Sequence, residues 1–187
     1  MIDKRAGYNE AHIIQALFLI SQRPVGRMNL MGELKLGEAS VKTLLKNLKD
    51  NGMIISTRRG HELTSKGKAF LTRILKMLEK PKEIDISDYT VSKENYAIVV
   101  KKASNKVKMG VEQRDEAIKV GADGATTFIF KSGKLWFPGT NEKANENLTE
   151  KVSKLFELKD GDVVIIGSAK NKYKAREAAI MAALSLL

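Results

Sequence analysis

No cysteine occurs in the 187 residues. That excludes a disulfide framework, a cysteine nucleophile and a thiolate metal site, and is compatible with a reducing cytoplasm. Histidine is nearly as scarce. His12 precedes an apolar helix and His61 sits in a basic turn, positions that suit structural or phosphate-contacting roles better than metal ligation. No metal or other cofactor is expected. Long apolar runs are also missing, since nothing approaches the roughly 18 residues of a membrane-spanning helix. The segment Ile13 to Ile20 after Lys4-Arg5 imitates a signal peptide, but it is short, Gln15 interrupts it, and Ser21-Gln22-Arg23-Pro24 offers no small-residue cleavage site. It reads as a core helix, and no membrane partner is expected. Acidic residues are the last shortage: 22 against 33 Lys+Arg give a formal charge of +11. The excess is uneven, with 15 basic against 7 acidic residues up to position 80 and 18 against 15 beyond it. A basic N-terminal half points to a polyanionic partner.

What is present is most legible between Gly37 and Gly67, GEASVKTLLKNLKDNGMIISTRRGHELTSKG. Val41, Leu44, Leu45 and Leu48 recur at i, i+3, i+4 and i+7, the spacing of one buried helical stripe, and leave Ser40, Lys42, Thr43 and Lys46 on other faces. Asn51-Gly52 stops that helix, which spans about 38 to 51. Met53 to Thr57 resumes as a β-favouring run, Arg58-Arg59-Gly60-His61 makes a tight turn, and Glu62-Leu63-Thr64 closes a ribbon. Ser65 or Thr64 can cap a further helix running through Phe70, Leu71, Ile74, Leu75 and Leu78. Upstream, Ala11 to Ser21 and Met28 to Lys35 read as two more helices, with Leu36-Gly37 as the turn before the third.

This succession of apolar helix, short helix, glycine turn, polar helix, glycine stop, β-ribbon and LTSKG resembles the winged helix-turn-helix transcription regulators over about the first eighty residues. The resemblance implies double-stranded DNA as partner. On that expectation Ser40, Lys42, Thr43 and Lys46 make the groove contacts, and Arg58, Arg59 and His61 touch phosphates or the neighbouring minor groove.

Pro81 among charges in Glu79-Lys80-Pro81-Lys82-Glu83 marks a boundary. The expected division is a winged helix at 1–80, a linker at 81–95 and a second domain at 96–187. Within the second domain the pattern predicts a strand at 96–102, a helix at 111–121, strands at 125–130 and 134–137, a helix at 148–158, a strand at 162–167 and a closing helix at 171–187. The expected fold class is therefore α+β, a winged helix followed by a ferredoxin-like βαββαβ domain with two helices on one sheet face. The segments RDEAIKVGADGATT, GKLWFPG and DVVIIGSA make the whole chain similar to a family of uncharacterised archaeal winged-helix proteins whose second domain has no assigned function. That resemblance supplies no ligand and no catalytic residue.

One polar cluster in the second domain suits a phosphate or carboxylate: Arg114 and Asp115 in the first turns of a helix, then Asp123, Gly124 and Thr126 after it. The same residues also read as a helix cap, a turn and a solvated face. Neither standard nucleotide-binding glycine fingerprint is met. Trp136-Phe137 either stacks on a planar ligand or packs the hairpin. The closing helix is apolar almost all round, which calls for burial in its own domain or a homodimer interface. The favoured function is a cytoplasmic, non-enzymatic DNA-binding regulator with a small-molecule effector on the second domain. The alternative is a small-molecule or nucleotide-binding enzyme with an accessory winged helix.

Overall fold

The computed structural model describes residues 7–187, so Lys4 and Arg5 lie outside the described residues. The chain divides between Ile74 and Leu75 into two compact units. In the first, α1 (Glu10–Gln22) starts with a reciprocal cap: Asn9 Oδ1 accepts from the His12 N–H, and His12 Nδ1 accepts from the Asn9 N–H at 3.2 Å. His12 is thus a capping residue. Helix α2 (Arg27–Leu34) buries Leu30 and Leu34, and ends at Lys35 in the left-handed region with φ of +53°. After Gly37, α3 (Glu38–Asp50) buries Val41, Leu44, Leu45 and Leu48, the stripe its spacing predicts.

Gly52, with φ of +67°, turns the chain out of α3 into β1 (Ile54–Thr57), which pairs antiparallel with β2 (Gly60–Leu63). Because Thr57 pairs with Gly60, the loop of this ribbon consists of Arg58 and Arg59 alone. Val25 adds a third rung by exchanging two backbone hydrogen bonds with His61, at 3.1 and 2.9 Å. Helix α4 (Ser65–Met77) is capped by Thr64, whose hydroxyl accepts from the Gly67 N–H and donates to the Gly52 carbonyl at 2.6 Å. The cap of one helix is therefore tied to the stop of another. Together these elements are a winged helix.

The second unit is built on an antiparallel sheet in the order β3-β4-β7-β5-β6. Its strands are β3 (Lys82–Glu83), β4 (Glu94–Val100), β5 (Gly124–Lys131), β6 (Lys134–Trp136) and β7 (Val163–Ala169). Helix α5 (Val111–Lys119) links β4 to β5, α6 (Glu146–Leu155) links β6 to β7, and α7 (Lys172–Leu184) follows β7. The α+β class and the βαββαβ order with a closing helix are as expected. The layering differs from a ferredoxin-like sheet, because β7 instead of β6 separates β4 from β5.

All seven residues of β7 are buried, so this strand needs cover on both faces. Alternation supplies it. Ala97, Val99, Phe128, Phe130, Val164 and Ile166 pack with Leu148, Val152 and Phe156 of α6 and its flank, while Ala169 packs with Ala117 of α5 and Ala175 and Ala178 of α7 on the other side. The helices that share a face are thus α5 and α7, not α5 and α6.

Two further expectations change. The 81–95 stretch is no linker: Ile84 and Ile86 are buried in the α6-side core, β3 pairs with β4, and the Asn95 amide donates to the Ile86 carbonyl at 3.0 Å. An alternating Ile-x-Ile among charges is too short for a strand signal, yet long enough to cover a sheet edge. The apolar excess of α7 is consumed within its own unit, where Ala175, Ala178, Ala179, Ile180, Ala182 and Ala183 are all buried, so it no longer argues for a dimer.

Candidate nucleic-acid interface

The inward stripe of α3 fixes where its cations point. At 100° per residue, Lys42, Lys46 and Lys49 fall together at i, i+4 and i+7 on the flank facing the N-terminus of α2 and the base of the ribbon. There they line an open groove of about 720 Å³ with Arg27, Thr43 and His61. Lys42, Thr43, Lys46 and Lys49 are all exposed. Arg58 and Arg59 are exposed at the ribbon tip, where the Arg59 N–H is held by the Thr57 hydroxyl at 3.2 Å. Gly60 makes this tip possible. It adopts φ of +133°, and a Cβ there would come within 2.7 Å of the Val25 carbonyl carbon.

The charges differ in how far they are compensated. Lys46 is ion-paired with Asp50 at 2.6 Å, which raises its pKa through that hydrogen bond and charge, and Arg27 is paired with Glu38 at 3.2 Å. Among the described residues no carboxylate pairs with Lys42, Lys49, Arg58 or Arg59. His61 shares a 3.1 Å hydrogen bond with Ser56 Oγ. Burial first, and then the charge of Lys49, pushes its pKa below the ordinary histidine range.

Five of the seven residues expected at a DNA interface, Lys42, Thr43, Lys46, Arg58 and Arg59, are solvent-facing. The Thr43 hydroxyl spends its proton on the Ala39 carbonyl at 2.9 Å, leaving its lone pairs outward. His61 is half-buried at the groove wall. Ser40 is not with the others: it lies half-buried on the opposite flank of α3, with its Oγ 2.5 Å from where a Gly7 Cβ would stand. Lys49 and Arg27 were missed. The i+3 and i+7 spacing of Lys49 from Lys46 and Lys42 carries that information, whereas Arg27 reaches the groove only through the packing of α2.

In the second unit the five expected ligand residues do not converge. Arg114 is bonded to its neighbour Asp115 at 3.2 Å, both half-exposed. The Asp123 N–H donates to the Ser168 carbonyl, and Gly124 is buried, with the Val91 side chain 3.4 Å from its Cβ position. Arg114 and Thr126 do line a common pocket, but the Thr126 hydroxyl donates to the Tyr89 carbonyl at 2.6 Å. Phe137 packs against Phe128 and Tyr89 with ring centroids 4.9 and 5.5 Å apart, and the Trp136 indole N–H donates to the Lys131 carbonyl. Packing is what occupies the Trp136-Phe137 pair.

Among the described residues no three His, Cys, Asp or Glu side chains are grouped to hold a metal, and no helix is long and apolar enough to cross a membrane. No functionally curated protein matches the chain. The family model described as "PH0730-like, N-terminal domain" matches residues 11–69, and that described as "Domain of unknown function (DUF4443)" matches residues 91–186. A solved structure, the hypothetical protein PH0730 from the archaeon Pyrococcus horikoshii OT3, is similar with a TM-score of 0.78 and 35% identity, over 96% of this chain and 92% of that one. The chain therefore belongs to the PH0730-like family, in which the winged helix precedes a DUF4443 domain.

Proposed function

We propose that this protein is a cytoplasmic DNA-binding transcription regulator that acts by binding and not by turnover. Helix α3 enters the major groove and the ribbon tip reaches the flanking backbone or minor groove. The observation that carries this reading is the set of uncompensated cations, Lys42 and Lys49 on α3 with Arg58 and Arg59 on the ribbon, presented by two adjoining elements of one unit. A phosphate backbone is the partner that rewards such charge most, because neutralising it releases condensed counterions. Lys42, Thr43 and Lys46 serve as base-reading side chains, and the second unit modulates affinity through a small-molecule effector. A homodimer on a twofold operator extends this reading, since a pair of half-sites would call for a symmetric pair of chains.

Selection of bound fragments from random duplex DNA at two salt concentrations tests it. An enriched motif retained at the higher salt is expected. Retention that disappears with salt and leaves no motif would reduce the protein to non-specific binding. Light scattering during titration with the selected duplex checks the dimer, for which two chains per duplex is the expected mass.

His61 adds a pH dependence. Its depressed pKa means that the folded protein disfavours the imidazolium, so the contribution of His61 to stability is present above the ordinary histidine pKa and is lost as pH falls through the lowered one. A phosphate in the groove has the opposite effect, favouring the charged ring. DNA binding should then take up a proton, and affinity should rise as the solution is acidified toward the depressed pKa, by up to about tenfold for each unit by which DNA raises it. His61→Gln should abolish the pH slope, as read by fluorescence anisotropy. An identical slope in both proteins would remove His61 from the interface.

A further inference from the structure

Strand β6 pairs with only Ile129–Lys131 of β5, so among the described residues no strand pairs with Gly124 to Phe128 on the edge away from β7. At that gap lies a pocket of about 290 Å³, between the N-terminus of α5, β5 and the chain after β6. Its floor carries an anomaly. Thr127 is only 4% exposed, yet its hydroxyl has no hydrogen-bond partner. A hydroxyl buried without a partner costs stability, and native proteins keep few of them.

The N-terminus of α5 makes the same point from the other side. Its N-cap is Gly110, with φ of +79° and no side chain to cap the helix. The first described backbone bond to the helix start is Arg114 N–H to the Gly110 carbonyl, so the N–H groups of Val111, Glu112 and Gln113 have no acceptor among the described residues. The missing Cβ of Gly110 keeps the site open, since it would stand 3.0 Å from Thr127 Cβ and 3.3 Å from Oγ1. Free N–H groups at the positive end of a nine-residue helix are arranged for a carboxylate or similar anion, and Arg114, whose guanidinium is held by Asp115 at 3.2 Å, lines the same pocket.

A bare anion does not fit the rest of the wall. Glu142 lines the pocket as well, its N–H held by Thr140 Oγ1 at 3.1 Å, and no cation pairs with its carboxylate among the described residues. A phosphate or nucleotide would meet that charge, whereas an ammonium would be welcomed by it. The remaining lining is apolar, from Met109, Val111, Phe137 and Pro138. The size lies at the small end for ligand pockets.

We propose that this pocket binds an α-amino acid with an apolar side chain. Its carboxylate sits on the α5 N–H groups, Thr127 Oγ1 and Arg114. Its ammonium faces Glu142, and its side chain rests on Met109, Val111 and Phe137. The inference stands apart from DNA binding, and its test reads ligand binding alone.

Thermal shift and calorimetry on the full chain supply that test, with L-leucine, L-methionine and L-phenylalanine each at about 10 mM, enough to register a millimolar dissociation constant. At least one should raise the melting temperature. For that amino acid, the analogue lacking the ammonium (4-methylpentanoate for leucine) and the analogue lacking the carboxylate (3-methylbutylamine) should each bind at least about tenfold more weakly, the weight of one lost charge-assisted hydrogen bond. Thr127→Val separates the site from a structural role. Removing an unpartnered hydroxyl should leave the melting temperature of the free protein unchanged or higher, while amino-acid binding weakens about tenfold. Glu142→Gln should weaken the amino acid while its ammonium-free analogue, no longer facing a like charge, binds as well as before or more tightly. No shift with any of the three amino acids, an equal shift with inorganic phosphate or acetate, or undiminished binding in Thr127→Val would overturn the proposal.

Discussion

Replacing Lys42, Lys49, Arg58 and Arg59 together by alanine is expected to weaken binding to a selected duplex about a thousandfold at about 0.1 M salt, and to flatten its salt dependence by about 3.6 log units of affinity per log unit of salt. The figure follows from four phosphate contacts, each releasing about 0.9 counterion. The four side chains are exposed and have no carboxylate partner among the described residues, so truncation leaves the helical stripe of Val41, Leu44, Leu45 and Leu48 untouched. Stability should change little. An equal charge deletion on α4, at Lys66, Lys68, Arg73 and Lys76, is the control, because these are also exposed cations and lie on another helix. It should cost less than about tenfold if long-range attraction alone is lost. Equal losses in the two variants would mean that affinity tracks net charge, and the groove would lose its claim to be the interface.

The Lys46–Asp50 pair sharpens this argument. Asp50 occupies Lys46 across one turn of α3, and an exposed pair of this kind adds little to stability. Asp50→Asn should therefore leave the fold intact, free Lys46 to meet the duplex and tighten binding severalfold, measured by anisotropy at matched ionic strength. Weakened binding would mean that Asp50 itself touches the duplex.

How much of this was legible in the sequence depends on the range of each interaction. The winged helix is written in local signals. The stripe of α3, the left-handed Gly52, the two-arginine loop and the Thr64 cap all act within about one turn or one rung of their neighbours. The groove was half legible, because Lys42, Lys46 and Lys49 share a face by spacing alone, whereas Arg27 and the Val25–His61 rung require α2 to be packed first.

In the second unit the elements were visible and their arrangement was not. Strand pairing between positions 94–100 and 163–169 is a contact across more than sixty residues, which no local pattern records. One signal did exist. Val163-Val164-Ile165-Ile166 shows no alternation, so the strand is buried on both faces and belongs at the centre of the sheet, with helices on each side. The pocket at α5 was the least legible feature. Thr127 is an unremarkable strand threonine until the missing Cβ of Gly110, seventeen residues away, is seen to lie over it.

Gly167→Val is expected to destabilise the second unit by roughly 3 kcal/mol or more, at the upper end of the cost of overpacking. Gly-Ser-Ala at the end of β7 is the seat of α7: a Cβ on Gly167 would stand 2.5 Å from the Ala175 carbonyl oxygen and 2.5 Å from the Ala179 nitrogen. Both are backbone atoms of a helix whose buried residues are mostly alanine. No rotamer change relieves such a clash, so α7 must lift from the sheet and take with it the Ala169, Ala175 and Ala178 contacts to α5. The only tryptophan, Trp136, lies in this unit, so its fluorescence in a urea titration reads the second unit alone. A midpoint drop corresponding to a melting-temperature loss on the order of 10 °C is expected. Gly32→Ala in α2 provides the contrast. Nothing lies within 4 Å of its Cβ position and its φ is outside the positive range that strains a side chain, so alanine there should stabilise the first unit by roughly 0.5–1 kcal/mol. A Gly167→Val protein with an unchanged tryptophan midpoint would show that α7 does not sit on β7 at this distance, and with that contact would go the three-layer packing that places α5 and its pocket.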